Sequence, residues 1–158
     1  MNIKNNKPKK KSGFSQGYFP LNECKKYQGK GPIIYRSSWE RKFCLYCEAN
    51  PEVIKWASEP IKIKYINSLD GREHSYFPDY YIKLKGDTEY LIEVKPKAQL
   101  QKPNPPKRKT AKGVKNYKYA YEMYVTNMCK IKYAEDYCKK RGWQFKIVTE
   151  DFFKTIKI

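Results

Sequence analysis

A chain of 158 residues with 40% hydrophobic content has room for one domain around one core, and leaves little for a second. Its formal charge of +18, from 34 Lys and Arg against 16 Asp and Glu, calls for a polyanionic partner. That sets nucleic acid, whose phosphate backbone releases counterions on binding, ahead of a merely solubilising surface.

No apolar run approaches the length of a membrane span, and no signal-peptide stretch opens the sequence. The expectation is a cytosol-like compartment and no membrane partner. The five cysteines (24, 44, 47, 129 and 138) are odd in number and scattered, which reads as free thiols in a reducing environment. Cys44 and Cys47 have C-x-x-C spacing, but a zinc site needs a second close ligand pair. Cys129 and Cys138 are nine apart and His74 is the single histidine, so zinc is not expected.

Residues 1 to about 30, with eight lysines and one acid, read as a basic arm, disordered in part; residues 31–158 form the domain. Phe14, Tyr18, Phe19 and Leu21 are candidates to pin the second half of the arm. Ser37-Ser38-Trp39-Glu40 opens a helix that Asn50-Pro51 closes, with Trp39, Phe43, Tyr46 and Cys47 on its apolar stripe. Val53 to Trp56 is a short strand or extended link. Ile61, Ile63 and Tyr65 alternate with lysines as a half-buried strand does. Asp70-Gly71 makes a turn, Ser75–Lys85 the next strand, Gly86-Asp87 a second turn, and Glu89–Lys95 a third strand. These three strands are predicted to form an antiparallel meander. Pro96 ends the meander, and a basic, proline-rich loop follows. Near Asn116 a long helix begins, with Tyr117, Tyr121, Tyr124, Met128, Ile131 and Cys138 along one stripe, and Gly142 stops it. Trp143 to Val148 is the last strand, and Thr149-Glu150-Asp151 caps a terminal helical turn.

Chemistry concentrates between Asp79 and Lys95. Strand alternation places Glu93 and Lys95 on one side and Val94 on the other, at the end of a largely apolar strand where either charge alone would be costly to bury. Asp79, on the antiparallel neighbour, reaches the same spot. Two converging carboxylates suit a hard divalent cation, Mg2+ or alternatively Mn2+, which activates water and stabilises charge on a phosphate. A lysine beside them adds positive charge where negative charge grows in the transition state. Glu40 has two readings of equal weight: a metal-side acid, or the distal half of a capping box with Ser37.

In combination these residues resemble the restriction-endonuclease-like PD-(D/E)xK nucleases, and within them the head-completion nucleases of large contractile-tailed phages. The resemblance rests on Tyr35-Arg36-Ser37-Ser38-Trp39-Glu40, Trp56-Ala57-Ser58-Glu59, Tyr76-Phe77-Pro78-Asp79 and Ile92-Glu93-Val94-Lys95-Pro96. It continues through Gln99 and the proline-rich loop to Asn127, Lys130 and Ala134. It implies an α/β fold: a helix, a three-stranded antiparallel meander, then a helix and a strand, in a mixed central sheet flanked by helices. It also implies catalysis by Glu40, Asp79, Glu93 and Lys95, with a metal on Asp79, Glu93 and Glu40. The substrate would be DNA, cut as an endonuclease or also as an exonuclease. The setting would be late virion assembly, with phage head or neck proteins as partners and a location in the virion or host cytoplasm. A structural head-tail joining or DNA-binding protein on the same fold, with little activity, is the competing reading. The expected DNA contacts are Lys97, Gln99, Lys102, Lys107, Arg108, Lys109, Lys112, Lys115 and Lys130. The lysine-rich first eleven residues and the especially basic loop after Pro96 lie outside the family pattern.

Overall fold

The computed structural model describes residues 16–156; expectations for the first fifteen residues, Phe14 among them, lie outside that range. Thirteen elements run in the order β1 (Gly17–Phe19), a 3-10 turn (Leu21–Glu23), β2 (Ile33–Tyr35), α1 (Ser38–Ala49), β3 (Val53–Ser58), β4 (Ile63–Ile66), β5 (Glu73–Tyr76), β6 (Tyr80–Leu84), β7 (Glu89–Val94), a second 3-10 turn (Lys97–Leu100), α2 (Ala111–Lys139), β8 (Gln144–Val148) and α3 (Glu150–Thr155).

A mixed four-stranded sheet, ordered β3-β6-β7-β8, forms the centre. β6 is antiparallel to both β3 and β7, whereas β8 is parallel to β7, Leu91 pairing with Phe145. Gly86 and Asp87, both at positive φ (81° and 65°), make the tight β6–β7 turn, a conformation that suits Gly and Asp. One face of the sheet, through Trp56, Tyr80, Ile82 and Ile92, packs against α1, α3 and the β1–β2 hairpin. The other face, through Leu91 and Tyr81, packs against α2 and the β4–β5 hairpin, where Ile63, Tyr65, Tyr76, Ala134 and Cys138 close a second core. This is the expected α/β architecture of a mixed sheet flanked by helices.

The expected meander is corrected in its membership. The Ile63 strand does pair antiparallel across the Asp70-Gly71 turn, with β5, but as a separate two-stranded ribbon; the three antiparallel strands of the central sheet are β3, β6 and β7. Phe77-Pro78-Asp79 breaks the single strand expected over Ser75–Lys85, because Pro78 has no N–H for the ladder and is itself fully buried. Val53–Ser58 is thus a full sheet member rather than a link. α2 begins at Ala111, not near Asn116: the Thr110 hydroxyl accepts from the Gly113 amide at 3.1 Å and caps the start. Within the arm, Phe19 is buried in the core, while Tyr18 and Leu21 are exposed, so one of the three described anchors carries the attachment.

Cys44 and Cys47 both face the α1 core, where burial pushes the Cys44 thiol up to about 12 and Cys47 well above its ordinary value. Among the described residues, no helix is long and apolar enough to cross a membrane.

Candidate active site

The β6–β7 register carries Asp79 to Glu93. Tyr80 pairs with Ile92, both on the α1 face; one residue outward, Asp79 stands opposite Glu93 on the α2 face. The Val94 amide donates to Asp79 Oδ2 at 2.7 Å, which fixes that carboxylate at the strand end. Lys95 Nζ lies 3.0 Å from Glu93 Oε1, and both side chains are largely buried. The structure thus brings Asp79, Glu93 and Lys95 together at one end of the sheet.

The surroundings add groups to which the sequence reading gave no role of their own. The Tyr76 phenol donates to Glu93 Oε2 at 2.7 Å, and its own pKa is raised by burial and then by the Glu93 charge. Tyr76 comes from the β4–β5 ribbon, so no in-strand alternation could have found it. Glu59, in a left-handed conformation (φ 43°), donates its amide to the Asp79 carbonyl at 2.8 Å and holds the backbone there. Its carboxylate pairs with Arg36 at 2.7 Å.

Electrostatics mark Asp79 as the uncomfortable member. Burial first, then the charges of Glu93 and Glu40, raise its pKa well above the ordinary carboxylate value, against the opposing Val94 amide and Lys95. Negative charge is therefore crowded into a site with little water. A divalent cation relieves that crowding, and the available donors are hard oxygens. Among the described residues no group of three His, Cys, Asp or Glu side chains converges tightly. Magnesium does not need one: it is held by one or two carboxylates together with waters and substrate phosphate. Asp79 and Glu93 fit that ion.

Glu40 behaves as a helix cap. Its Oε1 accepts from the Ser37 hydroxyl at 3.0 Å and its Oε2 from the Arg36 amide at 2.8 Å, while the Ser37 Oγ accepts from the Glu40 amide. Both oxygens are thus engaged at the helix start. The reach is one residue longer than the usual box, to the residue before the N-cap. Its charge is nonetheless felt at Asp79. A groove of about 400 Å3 opens beside it, between the α1 start, Val94, Pro96 and Gln99.

The expected DNA contacts do not share one environment. Lys107, Arg108 and Lys109 are exposed on the proline-rich loop, and Lys112 and Lys115 stand exposed on the first turns of α2. Lys97 is drawn to α3, its ammonium 3.1 Å from Asp151 and its amide bonded to Glu150. Lys130 turns inward: its ammonium lies 5.5 Å from the Tyr76 ring centre. Burial and the Lys95 charge lower its pKa, against Glu93 and Asp79. It belongs with the buried site and not with the exposed basic surface. Gln99 lines the groove, and its carbonyl accepts from the Asn127 amide at 3.3 Å.

A family model for TnsA-like endonuclease N-terminal domains matches residues 50–150, a span that includes Asp79, Glu93, Lys95 and Lys130 and begins after Glu40. The chain is also 35% identical over 144 residues to the "Head completion nuclease" of Enterobacteria phage T4, across 90% of this chain and 95% of that protein.

Proposed function

The chain belongs to the TnsA-like, restriction-endonuclease-like nucleases, and we propose that it hydrolyses DNA phosphodiester bonds at Asp79, Glu93 and Lys95. The observation that carries this reading is the convergence of a buried carboxylate, a half-buried one and a lysine on the end of β7.

Asp79 and Glu93 would hold a magnesium ion, which when bound would supply an activated water and charge stabilisation at the phosphate. Lys95 places its ammonium where negative charge develops on the transferring phosphoryl oxygens. Tyr76 fixes the Glu93 carboxylate, and the Val94 amide fixes that of Asp79, so the pair keeps its orientation before substrate arrives. The exposed lysines of the loop and of α2 bind the backbone in the ground state and take no part in bond breaking.

The relative's name supports a setting in phage head completion; within it we propose processing of packaged DNA, in the virion or the host cytoplasm, beside head or neck proteins. Incubation of the full chain with linear and closed-circular DNA, with and without magnesium, tests the activity. Nicking or linearisation of the circle only with magnesium is expected, and identifies an endonuclease. No cutting of either DNA in magnesium or manganese overturns the proposal.

A further inference from the structure

The stripe of tyrosines on the first turns of α2 has no core to cover it. Between Ala111 and Tyr124 no residue of this helix is buried; Tyr119 is 67% exposed, and Tyr121 and Met123 are exposed as well. An amphipathic stripe normally faces a core. Here the sheet has ended, and the helix runs on beside the chain that leaves the catalytic strand.

Between these two segments lies a cleft of about 380 Å3. Tyr119, Met123 and Tyr124 form one wall, and Gln99, Lys102 and Pro103 the other. The volume is at the small end of ligand clefts, which span roughly 300–1,000 Å3, and suits a nucleotide rather than a duplex. Gln99 also lines the groove that reaches Val94 and Glu40, so the cleft and the candidate active site share a wall. The charge around it is predominantly positive, Glu122 being the one acid between Val94 and Tyr124. From Val94 through Tyr121 there are nine Lys or Arg and no acid, and the Lys102 ammonium lies 5.8 Å from the Tyr121 ring centre. Lys95, Lys97 and Lys118 are paired with Glu93, Asp151 and Glu122, but cations still outnumber acids here, and exposed rings beside Lys102 suit a ligand that combines π-faces with negative charge. A strand of unpaired nucleotides has both.

We propose that the cleft between Gln99–Pro103 and the first turns of α2 binds unpaired bases of the DNA strand that continues from the active site. The protein would then prefer duplexes carrying a single-stranded tail or flap beside the bond that is cut. This rests on the nuclease reading for its orientation, but the binding itself is independent of cutting.

The test is fluorescence titration of the full chain, in EDTA, with blunt duplex, with the same duplex bearing a single-stranded tail, and with that tail made abasic. Tighter binding of the tailed duplex is expected, with the gain lost when the tail has phosphates but no bases. Tyr119→Ala and Tyr124→Ala, read singly as the ratio of tailed to blunt affinity, are expected to reduce that ratio roughly 5- to 100-fold, while Tyr119→Trp keeps it. Alanine is the strongest helix former, so α2 persists in these variants, and circular dichroism checks that. Equal affinity for tailed and blunt DNA, full binding of the abasic tail, or an unchanged ratio in both alanine variants overturns the proposal. Because the titrations contain no metal, they test the cleft even in a chain that fails to cut in magnesium. A chain that cuts without tail preference keeps its activity and loses this site.

Discussion

Tyr76 and Glu93 stand 2.7 Å apart, phenol to carboxylate, where the β4–β5 ribbon meets the end of β7. The bond ties an element outside the central sheet to the acid that would hold the metal. Removing the hydroxyl in Tyr76→Phe keeps the ring in its core and frees one Glu93 oxygen. Hydrogen bonds to charged groups contribute about 1.5–3 kcal/mol, and the lower figure corresponds to about a tenfold loss of rate. The cutting rate is expected to fall about tenfold, and the magnesium concentration for half-maximal rate to rise. A variant with the wild-type magnesium dependence assigns Tyr76 to packing alone.

Asp79 carries a cost that should be visible as stability. Its folded pKa is raised, so the unfolded chain ionises first as pH climbs. The sign is therefore destabilising: the penalty is absent below the unfolded pKa near 4, grows as pH rises above it, and is complete only above the folded pKa. Asp79→Asn keeps an acceptor for the Val94 amide and loses the charge. In denaturant melts without metal, the stability of Asp79→Asn relative to wild type is expected to improve steadily from pH 4 to pH 8. Magnesium should raise the wild-type melting temperature and leave the variant's nearly unchanged. A pH-independent difference would remove Asp79 from the crowded acid pair.

Activity and affinity should separate. Asp79→Asn, Glu93→Gln and Lys95→Ala each remove a group that acts on transition-state charge, and each is expected to abolish nicking of closed-circular DNA. Affinity for duplex DNA should change by no more than a few-fold, because about thirty other cations remain. Gel assays of cutting and titrations of binding on the same preparations check this. Wild-type cutting by any of the three removes that residue from catalysis.

What the sequence made legible here was local. Strand parity put Glu93 and Lys95 on one face, and the two-residue Gly86-Asp87 turn brought Asp79 opposite them. Pairing between distant segments was not legible. Ile63 and Tyr65 do pair across the Asp70-Gly71 turn with β5, but alternation did not show that β3, and not this strand, lies beside β6. Pro78 was the available sign that Ser75–Lys85 is two strands. The start of α2 was hidden because Lys112, Gly113 and Lys115 resemble the loop before them, although Thr110 caps it. Periodicity in the Tyr117–Met128 stripe announced an amphipathic helix and said nothing of whether a core covers its first turns.

Glu40 illustrates how one carboxylate serves locally and acts at a distance. Glutamine can also complete the box with Ser37, so Glu40→Gln is expected to change stability by less than about 1 kcal/mol. It removes a charge that raises the Asp79 pKa and favours a cation there. Cutting at saturating magnesium should fall far less than in Asp79→Asn, and the magnesium requirement should increase. Rates measured over a magnesium series decide this: complete loss of cutting at every concentration would make Glu40 a direct ligand that turns away from the helix when metal binds.

The basic loop tests where duplex DNA lies. Lys107, Arg108 and Lys109 are exposed on the loop beyond the catalytic strand, which bends at Lys107 and Arg108. Exposed cations without partners contribute almost nothing to folding, so neutralising all three should leave the melting temperature where it was. If they lie on phosphates, each releases about 0.9 counterion on binding, and the slope of log affinity against log salt should flatten by roughly two to three. Affinity at low salt should fall correspondingly, and the wild-type and variant curves should converge as salt rises. Cutting should weaken at subsaturating DNA and recover at saturation, since these groups supply ground-state affinity alone. Titrations of the triple glutamine variant at four or five salt concentrations give the slope directly. An unchanged slope would move the DNA path off this loop, and the same titration on a variant neutralised at Lys4, Lys7, Lys9, Lys10 and Lys11 would then locate it.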